Sequence, residues 1–248
     1  MSLVSPLCRI GRKKSLQGKI KAIAPKDFTK HVEPFVGAGD IFFHLNLSPD
    51  TSVVINDLDK DIITAFKILK SNPNIDNINK FKGMSLEQVR TFVKQSHTNP
   101  VDKLARIIYD LCGTFAGRAQ GSKIYKNPNL EPKLRKIPKY AEYMKNTKIL
   151  NQDYKSVIRS NDSPTTFFYL DPPYESSKGL YKKVEMNYEE MANILSKVKG
   201  KFILSLNDSA NIRNIFKQFK ISSITAGGSN NKDSIGSNVR KEVIIKNF

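Results

Sequence analysis

His31-Val32-Glu33-Pro34-Phe35-Val36-Gly37-Ala38-Gly39-Asp40 is the stretch from which the architecture can be read. His31–Phe35 predicts a short strand, 36–40 a glycine turn, and Ile41-Phe42-Phe43-His44-Leu45 the opening of an apolar helix. A second β-branched strand follows at Ser52-Val53-Val54-Ile55-Asn56 and ends in Asp57. Glycines at a strand-to-helix turn let a ligand approach the backbone, and the helix start offers free N–H groups. Taken alone, such a turn is commonly plain connectivity. Asp57, 18 residues past Gly39, adds a carboxylate at the next strand end, where ribose hydroxyls can be accepted. The glycine pattern is shorter than a dinucleotide fingerprint and no pyrophosphate site follows it. A cofactor with one nucleoside and no pyrophosphate fits better, which points to S-adenosylmethionine.

Outward from this unit, Leu58 to Lys70 has helical periodicity, with Leu58, Ile62, Ala65, Phe66 and Leu69 on one face. Asn72-Pro73-Asn74 breaks it, and Ser85–Gln95 and Pro100–Cys112 read as amphipathic helices. Residues 113–138 are basic, rich in Gly, Asn and Pro, and poor in periodicity, which predicts a long loop or inserted lobe. Strands are expected at 148–150, 165–170, 201–206, 219–225 and 242–246, with helices over 188–198 and 210–218. Strands alternating with helices predict a mostly parallel α/β sheet, with the last two strands as an antiparallel edge hairpin. Residues 1–71 and 148–248 then form one domain, and 72–147 an inserted, mainly helical lobe.

The second informative stretch is Asp171-Pro172-Pro173-Tyr174, directly after the apolar strand Thr166-Phe167-Phe168-Tyr169-Leu170. Two prolines stop the strand and stiffen the turn at the sheet edge where ligands bind in open α/β folds. The turn offers a carboxylate, the Pro172 carbonyl and an aromatic face. An exocyclic amine needs two acceptors for its N–H bonds and a platform for its base. A proline-stiffened turn with a packed tyrosine is the bland alternative.

Charge excludes and suggests. The 248 residues carry 41 Lys+Arg against 23 Asp+Glu, a net charge of +18, which favours a polyanionic partner. The excess is organised: +7 over residues 1–30, −4 over 31–79, +10 over 80–148 and +5 over 149–248. No apolar run is long enough to span a bilayer, and the N-terminus lacks the apolar region of a secretory signal. Cys8 and Cys112 suffice for neither a disulfide framework nor a zinc site, so a reduced intracellular protein is expected. His31, His44 and His97 lack metal-ligand spacing, and no metal is expected.

The order Glu33-Pro34-Phe35-Val36-Gly37-Ala38-Gly39, then Asn56-Asp57, then Asp171-Pro172-Pro173-Tyr174 resembles the DNA N6-adenine methyltransferases of the DNA-adenine-methylase (D12 class) family. Softer matches are Gly11-Arg12-Lys13, Asp153-Tyr154, Leu204-Ser205-Leu206-Asn207-Asp208 and Arg240-Lys241-Glu242-Val243-Ile244-Ile245. The resemblance implies a Rossmann-like S-adenosylmethionine-dependent methyltransferase fold with a target-recognition insertion. It implies that Phe35, Gly37 and Gly39 line the cofactor, with Asp57 on the ribose, Asp153 near the adenine and Lys13 facing the methionine carboxylate. Asp171 and Pro172 would bind the target amine, and Tyr174 would stack on the flipped base. Arg12 stands where the family has glycine, which makes Lys14 a rival to Lys13. No target sequence carries over.

The implied reaction is methyl transfer to N6 of an adenine flipped from double-stranded DNA, as in restriction-modification systems. The basic lobe would bind phosphates, and Arg118, Gln120, Lys123, Tyr125, Lys126 and Asn127 are its candidate contacts. An RNA adenine or N4-cytosine methyltransferase is an alternative, since the same turn can hold any exocyclic amine. A non-catalytic nucleic-acid-binding protein on this fold is another, and the intact Asp171 turn, Gly37, Gly39 and Asp57 argue against it. A membrane-surface module is disfavoured, because no helix sets a basic face against aromatic anchors.

Overall fold

β1 (Lys30–Glu33) lies between β2 (Ser52–Asn56) and β4 (Thr166–Leu170) in the computed structural model, which describes residues 3–9, 13, 15–114, 123–175, 186–226 and 240–248. The described residues form a seven-stranded sheet in the order β3-β2-β1-β4-β5-β7-β6, adding β3 (Thr147–Leu150), β5 (Lys201–Asn207), β6 (Lys220–Ala226) and β7 (Arg240–Lys246). β3, β2, β1, β4 and β5 are parallel, while β7 runs antiparallel to both β5 and β6. From β1 the chain first builds β2 and β3 on one side, then β4 and β5 on the other. That reversal opens a crevice at the carboxyl ends of β1 and β4, the place where ligands bind in such sheets.

Alternation along the strands divides the core in two. Val32, Val54, Phe168, Leu170, Phe202 and Leu204 face the layer of α8 (Tyr154–Asn161), α9 (Tyr188–Leu195) and α10 (Ala210–Ile215). On the opposite face Phe167, Tyr169 and Ile203 pack with Leu16 and Ile20 of the α1 (Gln17–Ile23) region and with Ile41 and Leu45 of α2 (Asp40–Leu45). Every residue of β4 is buried, as expected for a central parallel strand covered on both faces.

α3 (Lys60–Ser71) begins where Asp59 caps it, its side chain accepting from the Asp61 and Ile62 N–H groups at 3.0 and 3.5 Å. Its apolar face joins Phe42 and Phe43 in a cluster that also takes Phe81 and Val89. Leu104, Ile108 and Tyr140 complete that cluster. These last residues belong to a 3-10 helix (Asp76–Phe81), α4 (Leu86–Lys94), α5 (Pro100–Gly113) and α7 (Ile137–Tyr143). α4 has a capping box between Ser85 and Gln88, and α5 starts on Asn99 followed by Pro100.

Within residues 113–138, expected as a long loop or an inserted lobe, the structure adds α6 (Glu131–Leu134) and the start of α7. Pro132 and Pro138 sit in the first turns of these helices, where a missing N–H costs nothing. One expectation needs correcting: Cys8 and Cys112 are not reduced thiols in this structure. They form a disulfide across a Cα–Cα distance of 4.9 Å, tying the N-terminal segment to the end of α5. Their separation of 104 residues hides this, because only the fold lays the segment across α5.

Candidate active site

The glycine turn is built by backbone conformation. Gly37 and Gly39 have φ of +50° and +76°, a region that side-chain-bearing residues rarely adopt. A Cβ added at Gly39 would stand 2.9 Å from Phe66 Cζ, so close packing with α3 also demands glycine. At Gly37 an added Cβ would meet nothing within 4 Å, so the turn leaves open ground above the strand ends.

Asp57, just past β2, is held against this turn. One carboxylate oxygen accepts the Gly37 N–H at 2.9 Å and the other the Asp59 N–H at 2.9 Å. Each oxygen keeps a lone pair for a hydroxyl. Burial raises its pKa above the ordinary carboxylate value, opposed by Arg9 and by the two N–H bonds. Arg9 itself pairs with Asp59 at 2.6 Å. Leu58 is half exposed beside Asp57, while Phe35 and Tyr154 bring their rings to 5.2 Å. Asp153 caps α8 by accepting the Lys155 N–H at 2.9 Å.

Asn56 is a residue to which sequence reasoning gave no role. Its amide donates to the Pro34 and Gln152 carbonyls, both at 2.9 Å, and accepts the Gln152 N–H at 2.8 Å. It therefore fastens together the segments that follow β1, β2 and β3. Its signal in the sequence was a polar residue closing an apolar strand.

Across the crevice, Asp171 emerges at the end of β4 with 19% of its side chain exposed. The Ser205 hydroxyl of β5 donates to its Oδ1 at 3.1 Å, and Ser205 in turn meets the Tyr169 hydroxyl at 3.1 Å. Lys13 Nζ lies 2.9 Å from the same Oδ1 and 4.6 Å from the centroid of the Tyr174 ring. Burial raises the Asp171 pKa, and Lys13 and then Ser205 pull against that rise. Glu33 lies buried nearby, hydrogen-bonded to His31 at 3.0 Å; burial raises its pKa, and the charges of Asp171 and Asp40 add to the rise.

The turn after Asp171 is pinned by distant side chains. Tyr188 of α9 donates to the Pro173 carbonyl at 2.6 Å, and Tyr174 donates to Glu242 of β7 at 2.9 Å. Glu175 accepts from Ser209 at 2.9 Å and from Asn211 at 2.6 Å, both at the start of α10. The Asn207 side-chain oxygen, at the end of β5, is buried without a partner among the described residues. Glu242, Tyr188 and Glu175 were missed from sequence as supports of this turn, because nothing local connects them to it.

The two expected groups thus lie at neighbouring strand ends: Phe35, Gly37, Gly39 and Asp57 after β1 and β2, and Asp171, Pro172 and Tyr174 after β4. Lys13 belongs to the second group in this structure, on the Asp171 carboxylate. Of the candidate nucleic-acid contacts, Arg118 and Gln120 fall outside the described residues. Lys123, Tyr125, Lys126 and Asn127 are exposed on a segment that leaves the bridge between Thr114 and Ile124. Arg90 of α4 clamps that segment by donating twice to the Ile124 carbonyl, at 3.1 and 2.9 Å. Asn127 spends its amide on the Met84 carbonyl, whereas Tyr125 is 60% exposed with Lys123 Nζ 5.9 Å from its ring centre. Among the described residues no cluster could hold a metal ion, and no helix is long and apolar enough to cross a membrane.

A parallel sheet closed by an antiparallel edge, a glycine turn after β1, a carboxylate after β2 and an Asp-Pro-Pro-Tyr turn after β4 define an S-adenosylmethionine-dependent methyltransferase. The sequence profile of the D12 class N6 adenine-specific DNA methyltransferases matches residues 10–109 and 113–227, and the chain belongs to that family. It is 26% identical to the type II methyltransferase M1.LlaDCHI of Lactococcus lactis subsp. cremoris, over 96% of this chain and 93% of that one. It is 25% identical to the type II methyltransferase M.MjaIII of Methanocaldococcus jannaschii, over 96% of each. Among solved structures, precorrin-6y C5,15-methyltransferase from Geobacter metallireducens superposes with a TM-score of 0.44 at 7% identity, covering 96% of this chain and 92% of that one. The chain is a DNA methyltransferase whose cofactor is S-adenosylmethionine, and the open ground at Gly37 beside the Asp57 carboxylate fits that cofactor.

Proposed function

We propose that this protein methylates N6 of an adenine flipped out of double-stranded DNA. The observation that carries the reading is the Asp171 carboxylate, partly open at the crevice and fixed from behind by Ser205, with the Tyr174 ring pinned alongside. In this reading Phe35, Gly37, Gly39, Asp57 and Asp153 hold the cofactor, which supplies an electrophilic methyl on a sulfonium.

The target amine is a poor nucleophile because its lone pair is delocalised into the ring. Acceptance of its two N–H bonds by Asp171 and the Pro172 carbonyl favours a more tetrahedral, more nucleophilic nitrogen. Most of the acceleration then comes from alignment in a site whose dipoles are already set. A base inside a duplex cannot reach this turn, so it must be extruded, and Tyr174 replaces the stacking it loses. We assign residues 72–147 to target recognition, with Lys123, Tyr125 and Lys126 facing DNA; Arg118 and Gln120, outside the described residues, are assigned to the same role from sequence. The exposed Tyr125 in a basic setting supports this.

An N4-cytosine or an RNA adenine target would use the same turn; family membership favours adenine in DNA. The test is methylation-sensitive sequencing of duplex DNA treated with the protein and S-adenosylmethionine, with single-stranded RNA as a parallel substrate. N6-methyladenine at one sequence motif is expected. N4-methylcytosine, or methylation confined to RNA, overturns the assignment.

A further inference from the structure

Lys13 stands where the substrate should stand. Its Nζ is 2.9 Å from Asp171 Oδ1 and 4.6 Å from the centre of the Tyr174 ring, so one ammonium occupies both the carboxylate and the aromatic face. Those are the two features that, on the functional reading above, receive a flipped base and its amine. With Lys13 and Ser205 both on Oδ1 and the ammonium against the ring, an arriving amine would find one carboxylate oxygen taken and its base obstructed at the Tyr174 face.

The anchoring of Lys13 marks it as a swinging group on a fixed stem. Its backbone N–H donates to Asp40 at 3.1 Å, and its carbonyl accepts the Leu16 and Gln17 N–H groups at 2.9 and 3.0 Å. The backbone is therefore held where the chain enters α1, while the long side chain keeps four rotatable bonds. The ammonium is nearly buried against Asp171, and the charges of Asp171, Asp40 and Glu33 act on one another. Moving a buried cation away from its partner is costly unless another anion receives it.

The cofactor brings such an anion. Its methyl must lie in line with the target nitrogen beside Asp171, and a short methylene chain joins the sulfonium to the α-carboxylate. On that reading, and as the family resemblance implies for Lys13, the carboxylate would come within reach of the Lys13 side chain.

We propose that Lys13 plugs the target-amine subsite and is drawn off Asp171 by the cofactor carboxylate, so that base capture follows cofactor binding. This rests on the adenine-flipping reading, and the experiment separates the two. Sequencing first identifies the methylated base; if none is found, that reading fails and the plug fails with it. A duplex carrying 2-aminopurine at the identified base is then titrated with the full chain, with and without S-adenosylhomocysteine. Unstacking raises 2-aminopurine fluorescence. The native protein should give a several-fold rise only when S-adenosylhomocysteine is present. Lys13→Gln, checked for an intact thermal transition, should give the rise without it, and Lys13→Arg should behave as the native protein does. An equal rise in the native protein with and without S-adenosylhomocysteine overturns the proposal and needs no variant. A Lys13→Gln protein that stays dark until S-adenosylhomocysteine is added overturns it as well.

Discussion

The two sides of the crevice are held by different means. On the cofactor side Asp57 is gripped by the main-chain N–H groups of Gly37 and Asp59, only 20 and 2 residues away. On the target side Asp171 and Tyr174 are gripped by side chains, Ser205 and Glu242, which lie 34 and 68 residues on, and by Lys13 near the other end of the chain. Backbone grips cannot be mutated away one at a time, whereas each side-chain grip can. On the proposed assignment, the cofactor side rests on backbone contacts and the target side on side-chain contacts that can rearrange, as suits a site that admits a base.

The largest effect that this contrast predicts is on chemistry alone. Asp171→Ala should lower single-turnover methyl transfer by about a thousandfold, the scale of removing one preorganised electrostatic group. S-adenosylhomocysteine affinity in calorimetry should change far less, because the cofactor is gripped elsewhere. Equal losses in both would mean that the two sides are one unit. Next comes the backbone side. Gly39→Ala places a Cβ at φ +76° and 2.9 Å from Phe66, so it should cost at least about 1–2 kcal/mol in urea unfolding. Asp57→Ala strips two main-chain N–H groups of their acceptor, so it should cost about 1–3 kcal/mol of stability, and it should weaken cofactor binding roughly tenfold, about 1.4 kcal/mol.

A smaller effect is expected from the tether to the antiparallel strand β7. Tyr174→Phe keeps the ring and loses the bond to Glu242, whose net worth is about 1.5–3 kcal/mol for a charged acceptor. The ring would then be less well placed, so KM for DNA should rise several-fold with kcat less affected. Glu242→Gln keeps an acceptor and should restore most of the native value. A kcat fall with KM unchanged would show that the tether serves the reacting atoms rather than base capture.

The same contrast explains what the sequence made legible. The strand, glycine turn and Asp57 unit could be read because every contact defining it falls within one βαβ segment. Asp171-Pro172-Pro173-Tyr174 could be read because two prolines after an apolar strand are rare and stiff. Glu242, Tyr188 and Ser209 could not be assigned to that turn, since β7, α9 and α10 reach it only through sheet order, and a lone Glu in a short strand gives no local sign that it is buried between β5 and β6. For Lys13 motif spacing gives the residue, while its contact with Asp171 depends on the N-terminal segment lying across the end of β4. The Cys8–Cys112 link was misjudged because it depends on tertiary placement that no local pattern encodes.

The smallest expected effect tests how finely the side-chain grip sets the chemistry. Burial raises the Asp171 pKa, and the Ser205 hydroxyl opposes that rise by donating to the ionised form. Transfer needs the carboxylate, so activity should fall as pH drops through this raised pKa, above the ordinary carboxylate range. Ser205→Ala removes one opposing contribution and leaves burial unopposed by it, so the acid limb of the single-turnover rate should move to higher pH. Stability carries the opposite sign. A carboxyl whose pKa is raised by folding binds its proton more tightly in the native state. The native state therefore loses stability as pH climbs from the unfolded to the folded pKa, and Ser205→Ala widens that window upward. An acid limb that stays in place in Ser205→Ala, with Lys13 intact, would assign the setting of the Asp171 charge to Lys13 alone. The target side would then depend on one movable cation rather than on a network.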